Sequence, residues 1–178
     1  GARILVTSCP ICYKVFRESY YLDIEVLHHS QFIKMIIDDG SLKLKFLRKR
    51  IAYHTPCELG RGSGIYDEPK EVLRYVARLN KTDHEDENAL CCGGSLGNMK
   101  ISSAQRRKIA GDAVCDLTKD NPEMIATACP LCKKTFASVT KTRVADIAEI
   151  VAEAITLPRP EIKKSDSVLS LKEPARIL

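Results

Sequence analysis

The sequence predicts an α/β protein with a mostly parallel sheet flanked by helices. Short apolar segments of strand length alternate with segments of helix length, which is the pattern of consecutive βαβ units. Residues 4–16 (ILVTSCPICYKVF) also align without a gap to residues 124–136 (MIATACPLCKKTF), 120 residues later. A strand, a C-P-x-C motif and a helix therefore occur twice. Cysteines follow three predicted strands at their carboxyl ends, where open α/β sheets bind ligands.

The strands are predicted from short apolar runs bounded by turn residues. They are placed at 4–7, 24–27, 50–54 and 124–127, with a further short strand within the polar segment 81–88. The strand at 50–54 leads into Thr55-Pro56-Cys57 and a glycine-containing loop at 60–64. This order places a thiol directly after a buried strand.

The helices are predicted from apolar residues at helical spacing. They are placed at 10–20, 30–40, 69–79, 101–117, 130–139 and 144–155. Pro10, Pro69 and Pro130 suit the first turn of a helix. Ser30 is the expected N-cap of the second helix, and Gly40 its end. Residues 157–178 contain three prolines and little periodicity, so they are expected to be a tail or linker.

The repeat also predicts how the chain is divided. Residues 1–50 are expected to be the end of a first repeat, and residues 51–156 a complete second repeat. Only the second C-P-x-C motif is preceded by further cysteines in this sequence. The two parts are expected to pack together as one α/β domain. The abrupt start, with a strand followed at once by cysteines, favours a fragment of a longer protein.

Composition limits the function classes. The chain has 178 residues, 44% hydrophobic and 29% charged, with a net charge of +5. This is typical of a globular protein with its own core, which has no need of a disulfide framework. No basic run exceeds three residues, so nucleic-acid binding is not expected. No apolar run is long enough to span a membrane. A cytoplasmic location is expected, at most peripheral to the membrane through a partner.

Five cysteines form an ordered set that predicts a metal cluster. Thirty-three residues separate Cys57 from Cys91, and thirty-six separate Cys92 from Cys129 of the Cys129-Pro-Leu-Cys132 motif. Iron–sulfur clusters are bound by cysteine thiolates, and C-x-x-C presents two of them from one turn. Gly93 and Gly94 allow the irregular backbone that vicinal cysteines need to face one target, and their N–H groups are candidate donors to a cofactor. The alternative is a zinc site with one spare thiol, although zinc prefers four ligands.

The remaining candidates have weaker signals. Cys9 and Cys12 are either half of a second ligand set, as the repeat favours, or a redox-active dithiol. His54 is either a proton donor near the site or a histidine bonded to backbone at a strand end. Arg61 is either a contact to a cluster or anionic substrate, or a solvated loop residue. Cys115 is expected in the core, and residues 106–108 (RRK) on the solvated face of their helix.

These motifs resemble the CCG domain, the cysteine-rich repeat of the heterodisulfide reductase B/D family. Similar repeats occur in iron–sulfur subunits of glycolate, lactate and glycerol-3-phosphate dehydrogenases. The spacing of the five cysteines carries the resemblance, together with segments 53–61 (YHTPCELGR), 64–69 (GIYDEP) and 90–94 (LCCGG). It extends over residues 1–156. The tail lies outside it.

The resemblance implies a specific set of ligands. Cys57, Cys91, Cys92, Cys129 and Cys132 would bind one [4Fe-4S]-type cluster, cubane or non-cubane, and zinc is the substitute that could occupy the site. Cys9 and Cys12 would be partial ligands of a second cluster. The other three ligands of that cluster are not in this sequence, so the chain alone is not expected to have full activity.

The resemblance also implies a function. The expected role is an iron–sulfur redox module of a heterodisulfide-reductase-like oxidoreductase, which exchanges electrons with a disulfide or thiol substrate. The alternative is an electron relay for a flavin-dependent dehydrogenase of a 2-hydroxy acid or glycerol 3-phosphate. FAD would then belong to the parent protein or a partner. Expected partners are flavin or ferredoxin-like subunits of a redox complex. A third hypothesis is a zinc-stabilised binding module.

Overall fold

The computed structural model describes residues 1–94 and 100–155. The described residues form six strands, namely β1 (Ile4–Thr7), β2 (Glu25–His28), β3 (Arg50–His54), β4 (Arg78–Asn80), β5 (Met124–Thr127) and β6 (Arg143–Asp146). The helices in the same ranges are α1 (Pro10–Ser19), α2 (His29–Asp38), α3 (Asp67–Val76), α4 (Ser103–Thr118), α5 (Pro130–Ala137) and α6 (Ile147–Ala154). A 3₁₀ turn, Asp86–Asn88, precedes the vicinal cysteines.

Both sheets are parallel. β1 pairs with β2, and a four-stranded sheet has the order β4-β3-β5-β6. β3 lies at its centre, where Ile51 is opposite Leu79 on one side and Met124 on the other. Helices follow the strands throughout, so the predicted α/β class with a parallel sheet is confirmed.

Strand order creates a crevice at the carboxyl ends of β3 and β5. β3 continues into α3, whereas β5 continues into α5, and these helices pack on opposite faces of the sheet. Two adjacent parallel strands whose connections leave on opposite faces open a gap between the connections, and ligands of α/β proteins bind there. Cys57 follows β3 and Cys129 follows β5, so both thiols are delivered to this gap.

Alternating side chains divide the core into two layers. In β3, Ile51 and Tyr53 pack with α2, α3 and α6, whereas Ala52 packs with α4 and α5. In β5, Ile125 joins Ala52 on the second face. This alternation follows from the pleat of a strand buried on both faces. The second layer includes three of the cysteines, so the site is continuous with the core.

The repeated unit predicted from sequence is present as structure. β1 and α1 match β5 and α5, and each helix begins at the proline of its C-P-x-C motif. The match continues into β2 with α2 and β6 with α6. Each of these two helices begins with a capping box. His29 Nε2 of one unit lies 3.0 Å from Asp146 Oδ1 of the other, so the two copies are in contact.

Several element predictions are corrected. The short strand expected within 81–88 lies earlier, at β4, so Leu79 belongs to a strand and not to the preceding helix. The single helix expected at 144–155 is a strand followed by a helix, β6 and α6. Val139 lies beyond the end of α5. The predicted tail, 157–178, lies outside the described residues.

The N-cap of α2 is also corrected, from Ser30 to His28. The His28 side chain accepts from the Ser30 backbone N–H, and Gln31 Oε1 accepts from the His28 N–H. Position 28 corresponds in the repeat to Asp146, which caps α6 in the same way. Histidine is a rarer cap than serine, so the local sequence alone favoured the wrong residue.

Burial of His28 predicts an acid-sensitive stability. Its side chain is fully buried. Burial is the main reason that the pKa of His28 is lowered from 6.5 to about 3, and repulsion from the neighbouring His29 adds to the effect. The unfolded state therefore binds a proton below pH 6.5 while the native state stays neutral. We expect the free energy of unfolding to fall by up to about 1.4 kcal/mol per pH unit between pH 6.5 and 3.

The measurement is urea unfolding across this pH range for the native chain and His28→Asn. Asparagine keeps the cap and removes the titration, so its slope should be smaller. Equal slopes for the native chain and His28→Asn would contradict the assignment.

Within the described residues, no helix is both long and apolar enough to cross a membrane.

Candidate metal centre

The five predicted ligands come from three neighbouring parts of the sheet edge. Cys57 lies three residues beyond β3, and Cys91 and Cys92 follow the 3₁₀ turn beyond β4. Cys129 is the N-cap of α5, and Cys132 lies in the first turn of that helix. Since β4, β3 and β5 are adjacent, their carboxyl ends bring these segments together.

The thiols form one continuous chain of side-chain contacts. Cys91 interacts with both Cys57 and Cys92, Cys92 interacts with Cys132, and Cys132 interacts with Cys129. Cys92, Cys129 and Cys132 are buried, whereas Cys57 and Cys91 are partly exposed. The five cysteines predicted from the spacing are therefore linked in a row by pairwise interactions, with Cys57 and Cys91 at the more exposed end.

This arrangement favours anionic sulfur at particular positions. Hydrogen bonds from the Cys57 and Cys92 thiols lower the pKa of Cys91, with a further contribution from the Gly93 N–H. The Cys132 thiol and N–H groups in the first turn of α5 lower the pKa of Cys129 to about 7. Interaction with Cys91 raises the pKa of Cys57, and burial adds to this effect. Thiolate is the metal-binding form of cysteine, and Cys91 and Cys129 are the most readily ionised of the five.

The two glycines act through their backbone. The N–H groups of Gly93 and Gly94 point at the sulfurs of Cys91 and Cys92, at N···S distances of 3.3 and 3.4 Å. Gly93 has φ +75°, in the left-handed region. A Cβ at Gly94 would collide with Thr135 Oγ1 and lie 3.5 Å from Cys92 Sγ. Glycines at these positions allow the turn to lie against α4 at Gly93 and against α5 at Gly94.

His54 positions the cysteine loop. It is buried at the end of β3, and its Nε2 lies 3.0 Å from the Leu90 carbonyl oxygen, immediately before Cys91. A carbonyl only accepts, so Nε2 carries the proton, and Nδ1 accepts from Thr127 Oγ1 at 3.2 Å. Burial lowers the pKa of His54 to about 4, so the ring is neutral at pH 7. This geometry favours the backbone-bonded alternative, and a proton-donor role stays a prediction.

Arg61 holds the same loop from its other side. Its Nη1 donates to the carbonyl oxygens of Glu87 and Ala89, at 2.8 and 2.9 Å. The side chain is exposed, and these backbone contacts are a role that neither sequence-based alternative included. The expected contact to a cluster or an anionic substrate stays a prediction. Sequence reasoning had no signal for this role, because it depends on where the loop carbonyls point.

Removing the Arg61 contacts should loosen the cysteine loop. We expect Arg61→Met to increase backbone hydrogen exchange at residues 86–92 by roughly fivefold, as expected for losing about 1 kcal/mol of local hydrogen bonding. Arg74→Met is the matched control, because Arg74 is an exposed arginine that makes no hydrogen bond or ion pair within residues 1–94 and 100–155. Similar exchange in the two variants would contradict this role.

The other cysteines lie elsewhere. Cys9 is the N-cap of α1, and its sulfur accepts from the Cys12 N–H at 3.5 Å. Cys12 is exposed, and the interaction with Cys9 raises its pKa. Cys115, expected in the core, is exposed on α4, so that prediction is wrong. It lies between the buried positions of that helix, which are Ala110, Ala113, Val114 and Leu117.

The donor set fits a cluster of several iron atoms. Five thiols in one contact chain exceed the four ligands of tetrahedral zinc, and cluster irons take cysteine thiolates as ligands. The glycine N–H groups supply the hydrogen bonds to sulfur that tune such sites. Among residues 1–94 and 100–155, no three His, Cys, Asp or Glu side chains are arranged to bind a single metal ion.

Comparison with known proteins agrees with the cysteine pattern. Residues 51–137 match the family model of the cysteine-rich domain named CCG. The chain is 30% identical over 172 residues to the D-type subunit of dihydromethanophenazine:CoB–CoM heterodisulfide reductase from Methanosarcina barkeri, covering 88% of this chain and 42% of that protein. It is 29% identical over 174 residues to EtfAB:quinone oxidoreductase of Syntrophomonas wolfei, covering 87% of this chain and 24% of that protein.

A third relative is the probable iron–sulfur-binding oxidoreductase FadF of Bacillus subtilis. It is 27% identical over 164 residues, covering 85% of this chain and 23% of that protein. The chain thus spans less than half the length of each of these relatives. The shared region includes the segments that carry all five cysteines, since the family match runs from β3 into α5.

Proposed function

Since residues 51–137 belong to the CCG cysteine-rich domain family, we propose that this chain is an iron–sulfur redox module of a heterodisulfide-reductase-like oxidoreductase. The single observation that supports this best is the contact chain of five thiols at the switch point of the sheet. Cys57, Cys91, Cys92, Cys129 and Cys132 would bind a [4Fe-4S]-type cluster. Such a cluster supplies one-electron chemistry when bound.

The proposed substrate is a disulfide, or the thiols formed from it. Reduction of a disulfide to two thiols takes two electrons and two protons. The exposed side of the thiol chain, at Cys57 and Cys91, is where a substrate or electron carrier would approach. His54 and Arg61 would hold the cysteine loop in position for this, through their contacts to its backbone carbonyls.

We further propose that residues 1–50 are the end of a first repeat and residues 51–156 the second. Cys9 and Cys12 would then be two ligands of another cluster. The contact between His29 and Asp146 supports packing of the two units as one domain.

The test is iron and acid-labile sulfide content after anaerobic reconstitution of the full 178-residue chain. We expect about four iron atoms per chain with broad visible absorption. Stoichiometric zinc without iron would instead support the zinc-stabilised binding module and contradict the proposal.

A second candidate function is an electron relay. Relatives whose names describe quinone oxidoreduction or a membrane-anchored ferredoxin support it, because those names specify electron transfer without a disulfide. A flavin-containing partner or domain, carrying FAD, would supply the electrons. Disulfide turnover by the reconstituted full-length parent protein favours the first function. Reoxidation of its reduced cluster by a quinone or flavoprotein alone favours the second.

A further inference from the structure

A cavity of about 320 Å³ lies beside the cysteine loop, on the face of the sheet covered by α4 and α5. Gly93 and Gly94 form one wall and Leu131 another. The glycine N–H groups on this wall already point at Cys91 and Cys92. The cavity therefore shares a wall with the thiol site. Its volume is in the range of small-molecule sites.

Three cations line this cavity, Arg106 and Arg107 from α4 and Lys134 from α5. Within the described ranges, none of the three has a carboxylate partner or a side-chain hydrogen bond. Several other cations of the described residues are paired, and on α5 itself the adjacent Lys133 lies 2.7 Å from Glu149. Sequence reasoning assigned the arginines to a solvated helix face, because it had no means of bringing Lys134 next to them.

The charge around this cavity is uncompensated by the described residues. The positive side chains that face the cavity repel one another, and an anion bound between them would be attracted to all of them. Ser103, the first residue of α4, also lines the cavity, at the helix end whose dipole and free N–H groups favour negative charge. Cations from two helices and a helix N-terminus thus converge on one concave space.

We propose that this cavity binds the phosphate or carboxylate group of a small anionic ligand, held by Arg106, Arg107 and Lys134. Planar guanidinium groups suit both kinds of anion through paired hydrogen bonds. The apolar Leu131 side chain, 36% exposed at the cavity wall, would contact the uncharged part of the ligand. The site does not depend on a cluster being bound, since none of the proposed contacts involves a sulfur.

The experiment is isothermal titration calorimetry of the full chain at low ionic strength, with inorganic phosphate in one arm and citrate in the other. We expect saturable binding of one of them, with or without a reconstituted cluster. Arg106→Gln and Lys134→Gln should each weaken it about tenfold, as the loss of one charge-assisted contact predicts. The two arms distinguish a phosphate site from a carboxylate site.

Lys108→Gln is the matched control, because Lys108 is an exposed cation on α4 that does not line the cavity. It should weaken binding less than about twofold, since a distant exposed charge contributes little. Equal weakening by all three variants would mean general attraction to a basic surface and would overturn the site. The proposal would also be overturned if neither phosphate nor citrate bound saturably. Binding of an acidic protein alone would not rescue it. Lys134→Gln, on an exposed side chain, keeps the test valid if Arg106→Gln fails to fold.

Discussion

Cys92→Ser is expected to abolish iron binding after anaerobic reconstitution, leaving well under one iron atom per chain where the native protein takes up about four. Cys92 lies in the middle of the thiol chain and contacts Cys91 and Cys132. It is also buried, with 2% of its surface exposed. Serine is a poor iron ligand. Its hydroxyl group would also be buried in an apolar layer, which is unfavourable without a good hydrogen-bond partner. Cluster binding and local packing are therefore lost together.

Cys115→Ser is the matched control for this substitution. Cys115 is an exposed thiol on α4, outside the contact chain, so its replacement should leave iron and sulfide content unchanged. Thermal unfolding of the unreconstituted variants separates ligand loss from misfolding, because both should still unfold cooperatively. Full iron content in Cys92→Ser would show that the five thiols do not act as one ligand set.

Sequence reasoning predicted the centre of the fold better than its edges. The buried strands β3 and β5 have continuous apolar runs, and each leads into a proline-cysteine or cysteine-proline motif. The edge strand β4 is only three residues long, Arg-Leu-Asn, and its Leu79 continues the helical spacing of α3. Pairing with β3 makes it a strand, and such pairing is tertiary information that periodicity does not contain.

The missed strand β6 had a readable signal. Asp146 and Glu149 have the spacing of a capping box, which places a helix start at Ile147 and leaves the four residues before it extended. The internal repeat contained the same information, since β6 and α6 correspond to β2 and α2. The amphipathic pattern of α6 extends into β6, so helical periodicity alone joined two elements into one.

The grouping of the five cysteines was predictable, but the contacts that hold their loop in place were not. Five cysteines at characteristic spacing are visible in the sequence, whatever the loops between them do. Arg61 and His54 act on backbone carbonyls, whose directions are fixed only when the loop after β4 folds over the sheet edge. The same limit applies to the basic cavity, which combines helices separated by the whole of β5. Motif spacing predicts which cysteines come together, whereas the residues that position their loop are visible only in the fold.

Gly93→Ala tests how far the position of Cys91 and Cys92 depends on the left-handed backbone conformation of Gly93. Gly93 has φ +75°, and a left-handed conformation costs an alanine about 1–2 kcal/mol. A Cβ there would also lie 3.0 Å from the Arg106 carbonyl oxygen and 3.2 Å from Ile109 Cγ2. The oxygen belongs to the backbone of α4 and cannot rotate away. We expect Gly93→Ala to lower the free energy of unfolding by roughly 3 kcal/mol and to reduce iron uptake.

Gly40→Ala supplies the comparison that isolates crowding from conformational strain. Gly40 has φ +77° at the end of α2, and a Cβ there would meet no atom within 4 Å. Its replacement should therefore cost only the left-handed penalty, about 1–2 kcal/mol in urea unfolding, with iron content unchanged. The difference between the two alanine variants measures how closely the cysteine loop is pressed against α4. If both lose the same stability and both retain iron, the Gly93 turn is not what holds Cys91 and Cys92 in place.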